Sequence, residues 1–183
     1  SVTNAADGLS NPRILCMLEK QDGTLLAGSD GNGIAVIKDG AVIKTLKKSD
    51  GLVSDVILKM RADLNGEGVF IVTGSGLCYM ENDGSIRPLS NFPYYNNYDL
   101  IEGGNGTLFV LSSAGIYVVN KYELLSGNKL NYEILNNKKG LRNTLTPNSW
   151  NYRDNNDNLF ISTDSGVVHM NLNKYDIPVR SYR

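Results

Sequence analysis

Apolar residues recur along the chain in short runs separated by Gly, Asn and Asp, a pattern typical of β-strands joined by tight turns. The pairs Asp22-Gly23 and Asp39-Gly40 each stand between two apolar runs, where they predict hairpin turns. The first stretch therefore predicts four antiparallel strands, at Arg13–Glu19, Thr24–Ser29, Gly33–Lys38 and Ala41–Lys47.

This four-stranded unit repeats along the chain. The segment that begins at Gly8 aligns with the one that begins at Gly51, and each leads into an apolar run, a Gly/Ser turn and a second apolar run. A third copy begins near Asn91 and a fourth at Gly140. The glycine that opens the third strand of each copy recurs at Gly33, Gly76, Gly115 and Gly166.

A repeated unit of roughly 40–50 residues with four antiparallel strands is typical of a β-propeller blade. We therefore predict an all-β fold, a single β-propeller domain or partial propeller (a fragment) of about four four-stranded antiparallel blades. The alternative is a β-sandwich with irregular hairpins. The longer third copy predicts a helical turn at Lys121–Ser126 before its outer strand at Leu130–Leu135. The predicted blades are residues 8–50, 51–90, 91–139 and 140–183.

Composition agrees with a turn-rich globular chain. The 183 residues include 19 Gly and 22 Asn, both of which disfavour helix interiors, and 41% are hydrophobic, enough for a core. The 18 basic and 19 acidic residues give a net charge of -1, so nucleic acid and anionic membranes are not expected partners. We expect no secretory leader, no membrane segment and no cofactor within these residues.

The repeat resembles a known family. In the stretch Gly8–Ile37, the residues Asp22–Ser29 (DGTLLAGS) stand where the two-component regulator propeller repeat usually has D-G-x-[LI]-W-[IV]-G-[ST]. The position of the usual Trp is taken by Leu26 here, and in the later copies by Phe70, Phe109 and Phe160. The resemblance covers nearly all of the chain.

The resemblance implies a function. Propellers of this family form the extracytoplasmic (periplasmic or cell-surface) sensor part of bacterial membrane receptors, and they bind a ligand, often a saccharide, without catalysis. The implied partners are a small-molecule or saccharide ligand and the neighbouring domains of the parent receptor. Four blades either close alone or leave open edges that pair with a second copy as a homodimer. The alternative function is a protein–protein interaction propeller with a structural or scaffolding role.

Propeller geometry predicts which residues meet a ligand. If the first strand of each blade is innermost, the loops before it and the loops between the second and third strands open on one face. The segment Phe92–Tyr98 (FPYYNNY) combines aromatic rings with amides, which suits a sugar ring as well as a protein surface. The predicted ligand-binding residues are Arg13, Asp55, Tyr94, Tyr95, Asn96, Asn148, Trp150 and Arg153.

Structural roles compete with several of these assignments. The tyrosine rings of the aromatic segment can simply fill the inner strand and loop, and packing between blades is the favoured role of Trp150, the sole Trp. Alternation along the fourth copy's first strand brings either Tyr152 or Arg153 to face the channel.

Catalytic and metal chemistry find little support in the sequence. His169 is the sole His and lies on a predicted third strand, where a structural role is expected. The Asp154-x-Asn156-x-Asn158 spacing matches the start of a calcium loop, but a turn between strands explains the same residues. We predict no catalytic residue and no metal site, with Cys16 and Cys78 both in the core.

Overall fold

The computed structural model describes residues 3–104, 106–147 and 149–175. The chain divides into two compact units, residues 1–97 and 98–183. Each unit is built from antiparallel sheets in which consecutive strands are neighbours, as hairpin connections require. The all-β prediction is therefore confirmed.

The first sheet follows the predicted strands to within one residue at every end. Asp39 and Gly40 both have positive φ, 50° and 83°, as a two-residue hairpin turn of the favoured kind needs. The strand order is β1-β2-β3-β4. The strands are β1 (Ile14–Glu19), β2 (Leu25–Ser29), β3 (Ile34–Lys38) and β4 (Ala41–Leu46).

The second sheet repeats this meander within the same unit. A 3-10 turn, Lys48–Asp50, leads into it. Its first strand lies beside the first strand of the first sheet, the placement expected for neighbouring blades. The strands are β5 (Ile57–Ala62), β6 (Gly68–Thr73), β7 (Gly76–Glu81) and β8 (Ile86–Pro88).

The third and fourth sheets follow in the second half of the chain. The predicted helical turn is present as α1 (Lys121–Ser126), which Asn120 caps by accepting from the backbone N–H of Tyr122 and Glu123. The third sheet comprises β9 (Asn97–Glu102), β10 (Thr107–Ser112), β11 (Gly115–Asn120) and β12 (Tyr132–Leu135). The fourth comprises β13 (Tyr152–Arg153), β14 (Asn158–Thr163) and β15 (Gly166–Asn171), and residues 176–183 lie outside the described ranges.

Each unit has its own apolar core. In the first unit, Cys16 and Leu26 of the first sheet pack in one cluster with Ile57 and Met60 of the second. In the second unit, Phe109 of the third sheet shares a cluster with Leu159 of the fourth. The second strands of the two middle sheets, β6 and β10, bury nearly every residue.

One hydrogen bond recurs in all four sheets. The last residue of each second strand is Ser or Thr. Its hydroxyl donates to the carbonyl of a glycine that is the first residue of the third strand or, in the first sheet, the residue just before it. Those glycines all have φ between 73° and 149°, where a side chain would be strained. The pairs are Ser29 with Gly33 at 3.0 Å, Thr73 with Gly76 at 2.9 Å, and Ser112 with Gly115 and Thr163 with Gly166 at 2.8 Å.

Candidate functional site

The loops predicted to form the ligand face do meet in the first unit. Arg13, just before β1, places Nη1 2.9 Å from Oδ2 of Asp30, in the loop between β2 and β3. Asn11 donates from Nδ2 to the carbonyl of Asp30 at 2.9 Å. The Arg13 side chain is 77% exposed, so its remaining donors face solvent.

Asp55 joins the same group of loops through its backbone. Its carbonyl accepts from the N–H of Gly31 and Gly33, at 3.2 and 2.8 Å, which ties the linker before β5 to the β2–β3 loop. Its carboxylate accepts from the backbone N–H of Lys48 at 2.8 Å. The structure therefore brings Arg13 and Asp55 to one group of loops, and it uses the Asp55 carboxylate to hold the linker.

The aromatic segment presents one ring to solvent and buries another. Phe92 is buried, Tyr94 is half-buried and Tyr95 is 72% exposed, with Asn96 exposed beside it. The interpretation in which the tyrosines only fill the interior is therefore wrong for Tyr95. A ring held open to water next to an amide can stack on an apolar surface of a ligand.

Asn97 holds this segment in place, a role that the sequence did not reveal. It is buried, its Nδ2 donates to the carbonyl of Tyr94 at 2.9 Å, and its backbone N–H donates to the carbonyl of Tyr95 at 3.1 Å. The pair Asn96-Asn97 looks like two equivalent turn residues in the sequence, and only burial separates the anchor from its exposed neighbour.

Among the candidates of the second unit, Trp150 differs from expectation and Asn148 lies outside the described residues. The side chain of Trp150 is 70% exposed, so the favoured role of packing between blades is wrong. Its carbonyl accepts from the hydroxyl of Ser162 at 3.2 Å, which fixes the backbone at this position. Tyr152 is also exposed, and its ring stacks on that of Phe160.

Arg153 has a structural role in the second unit. Its Nη1 donates to the carbonyl of Glu102 at 2.7 Å, which joins the fourth sheet to the third, and its Nε donates to Oδ1 of Asp157 at 2.8 Å. The hydrogen bond from Arg153 lowers the pKa of Asp157, with smaller help from the guanidinium charge. These bonds occupy the guanidinium that was predicted to meet a ligand.

A small cleft of about 160 Å³ opens in the second unit, and no sequence motif marked it. It lies between a turn that joins the second and third strands of one sheet and the linker into the next sheet, the same kinds of loop that meet in the first unit. Its lining is mostly polar side chains and backbone. The lining residues are Ser112, Ser113, Ala114, Gly115, Asn136, Asn137, Leu141, Arg142, Asn143, Thr144 and Leu145.

The remaining motifs have structural explanations. Asp154 accepts through Oδ1 from the backbone N–H of Asn156 and Asn158, which is the predicted turn. Nowhere in the described ranges do three His, Cys, Asp or Glu side chains gather in a way that could hold a metal ion. His169 lies on the third strand of its sheet, as predicted, and stacks on the ring of Phe160 with centroids 4.9 Å apart.

Both cysteines are buried and neither forms a disulfide, in agreement with the predicted core role. Burial raises the pKa of the Cys78 thiol, which keeps it protonated and unreactive near neutral pH. Within the described part of the chain, no helix is both long and apolar enough to cross a membrane.

The fold is shared with known propeller domains. Neither a protein-family model nor a curated protein matches the chain. Among solved structures, it is similar to the extracellular domain of the hybrid two-component system BT3049 from B. thetaiotaomicron, at 19% identity and a TM-score of 0.68, over 92% of this chain and 22% of that one. It is also similar to the extracellular domain of the one-component system BT4673 from the same organism, at 21% identity and a TM-score of 0.64, over 88% of this chain and 22% of that one.

A third similar structure is a streptogramin B lyase, at 16% identity and a TM-score of 0.54, over 94% of this chain and 58% of that one. The chain thus spans about a fifth of the length of the two receptor domains. The predicted propeller class is confirmed, and the resemblance to the two-component regulator propeller is confirmed at the level of fold.

Proposed function

We propose that this chain is a ligand-binding, non-enzymatic sensor segment of an extracytoplasmic receptor of the two-component type. Its loop face recognises a saccharide. Neighbouring domains of the parent receptor transmit the signal that a ligand is bound there. The observation that carries the proposal is the aromatic segment, in which buried Asn97 anchors a loop that holds Tyr95 72% exposed beside Asn96.

The chemistry of this segment suits a sugar. The face of a tyrosine ring packs against the apolar C–H side of a pyranose, and amides both donate to and accept from its hydroxyl groups. A free aromatic ring is also characteristic of protein interfaces, so a protein–protein interaction propeller is the second candidate function. Saccharide binding is preferred because the Tyr95 ring projects singly from a loop rich in amides. A protein interface would need a broad surface instead.

The fold supports the receptor assignment. The two receptor domains above are described as extracellular, which supports an extracytoplasmic location here, and their greater length supports further domains as partners. The lyase is the weaker parallel, because its TM-score of 0.54 is below those of the two receptor domains, 0.68 and 0.64.

Calorimetric titration of the chain with a defined panel tests the proposal. The panel contains three neutral saccharides: maltohexaose, xylohexaose and mannohexaose. We expect at least one to bind, and Tyr95→Ala to weaken that binding roughly tenfold, since loss of one exposed aromatic anchor costs about 1.4 kcal/mol or more.

The matched control is Tyr132→Ala, which removes another half-exposed tyrosine from β12 in the other unit. It should leave affinity unchanged. Absence of binding by all three neutral saccharides would contradict the saccharide assignment at the Tyr95 loop and favour the interaction role. Light scattering over a concentration series separates a 20.0 kDa monomer from a homodimer of twice that mass.

A further inference from the structure

We propose that the cleft of the second unit binds the anionic group of an acidic sugar, with Arg142 as its charged contact. This inference rests on the proposed saccharide-sensing function and adds a ligand class to it. The cleft would take a single sugar residue that carries a carboxylate, such as a uronate.

The size and lining of the cleft indicate the size and the polarity of the ligand that it can bind. Its volume of about 160 Å³ is roughly ten times the ~10–15 Å³ that a cavity needs to hold one water molecule, so the cleft has room for a ligand of the size of a sugar residue. Its lining residues include Asn136, Asn137, Asn143 and Thr144. Amide and hydroxyl side chains can both donate and accept, as a sugar with several hydroxyl groups requires.

The linker beside this cleft differs in charge from the corresponding linker of the first unit. Both linkers form a 3-10 turn that ends at a left-handed glycine, Gly51 with φ 110° and Gly140 with φ 93°. Aligned on these glycines, the first linker (47–55, KKSDGLVSD) carries two Lys and two Asp, for a net charge of 0. The second (136–144, NNKKGLRNT) carries two Lys, one Arg and no acid, for a net charge of +3.

The second linker lacks the two aspartates that bind the backbone in the first linker. In the first linker, Asp50 accepts from the backbone N–H of Lys47 at 2.9 Å and Asp55 from that of Lys48 at 2.8 Å. Lys139 and Thr144 take these two positions in the second linker. The turn forms without the acids, because the side chain of Asn136 caps it instead by accepting from the N–H of Lys138 at 3.1 Å.

Acidic groups nearby only partly offset this charge. Glu133 on β12 pairs with Lys139 at 2.5 Å. Asp164 adjoins the linker through its backbone N–H, which donates to the carbonyl of Thr144 at 3.0 Å, and its carboxylate accepts from the hydroxyl of Ser165. With both acids counted, the linker and its neighbours keep a charge of 3 − 2 = +1. Arg142 is the cation that lines the cleft itself, and it offers a planar fork that matches a carboxylate.

Calorimetry on the chain with three probes tests the inference: trigalacturonate, its fully methyl-esterified form, and sodium acetate at equal carboxylate concentration. We expect the acid to bind at least tenfold more tightly than the ester, and acetate to bind far more weakly than either saccharide, because both the charge and the sugar are recognised. Arg142→Gln should remove the preference for the acid, and Arg142→Lys should restore part of it. The affinity for the acid should fall with added salt, whereas that for the ester should not.

Lys48→Gln is the matched control, because it removes an exposed cation from the corresponding linker of the first unit. It should leave all three affinities unchanged. Equal binding of acid and ester, unaffected by Arg142→Gln, would overturn the anionic assignment while the saccharide-sensing function stands. Binding of acetate as tight as that of trigalacturonate would overturn the sugar part, and no binding of any probe would overturn the inference. The Tyr95 titrations decide the sensing function separately.

Discussion

The Nζ atom of Lys121 lies 2.6 Å from Oε1 of Glu102, and the two side chains are 0% and 5% exposed. Glu102 ends the first strand of the third sheet, and Lys121 begins the helix that follows its third strand. An ion pair so far from water is a strong constraint, because either charge left alone would be buried without compensation.

Lys121→Met should therefore destabilise the chain by about 3–5 kcal/mol, since it removes the cation that pairs with a buried carboxylate. Urea denaturation followed by circular dichroism measures the loss. The comparison is Lys139→Met, which breaks the exposed pair with Glu133 and should cost less than about 1 kcal/mol. Equal losses for the two variants would show that burial of the Lys121 pair adds nothing.

The recurring hydroxyl-to-glycine bond should matter most where it is buried. Thr73→Val keeps the shape of the side chain but leaves the buried carbonyl of Gly76 without its 2.9 Å donor. We expect a loss of about 1–3 kcal/mol in unfolding free energy. Thr163→Val in the fourth sheet faces an exposed Gly166, and water can replace the hydroxyl there, so its cost should be well below that of Thr73→Val. Urea midpoints of the two variants make the comparison.

Gly28 marks close packing between the first two sheets. A Cβ at this position would lie 2.6 Å from Cγ2 of Ile57 and 2.7 Å from Sγ of Cys16. Gly28→Ala should cost about 1–3 kcal/mol through overpacking, measured as a lower melting temperature. Gly104→Ala is the control, because the nearest atom to its new Cβ would be Oδ2 of Asp157 at 3.6 Å, an ordinary contact. A Gly28→Ala variant as stable as the parent would mean that the two sheets separate at little cost.

Asp157 should contribute stability that depends on pH. Its pKa is lowered in the folded chain by the hydrogen bond from Arg153, so its contribution is present above the unfolded pKa and is lost as pH falls through the folded pKa. Asp157→Asn should therefore be less stable than the parent at about pH 7, and the difference should vanish at strongly acidic pH. Asn also tolerates the positive φ of 58° at this position, so backbone strain does not confuse the result. A difference that stays constant with pH would show that the carboxylate charge is not involved.

Much of the fold could be predicted because its causes are local. Asp39 and Gly40 form a hairpin turn because both adopt positive φ, and a glycine with positive φ marks the start of the third strand in each sheet. The ends of these strands could therefore be predicted from residue type alone. The helix at Lys121–Ser126 was predictable for the same reason, since Asn120 caps it from the adjacent position.

The site could be predicted only in part, because burial and pairing depend on distant residues. Trp150 was expected to be buried between blades because it is large and apolar, yet it is 70% exposed. The residues next to it in the sequence do not determine whether another sheet packs against its ring. Lys121 looks like an ordinary exposed lysine until Glu102, 19 positions earlier, is placed against it. The cleft beside Arg142 arises from the spacing of a turn and a linker that lie more than 20 residues apart in the chain, a quantity that no single motif encodes.

The hydroxyl-to-glycine bond has an evolutionary consequence. Both of its partners lie within five residues of each other, so each sheet encodes the geometry of its own central hairpin in one continuous stretch of chain. Duplication of such a stretch adds a sheet that is already correctly folded at its centre, and only the surfaces toward its two neighbours need to adapt. A chain of this kind can lengthen by whole sheets while its linkers differ in charge, as the linkers at Gly51 and Gly140 do, with net charges of 0 and +3.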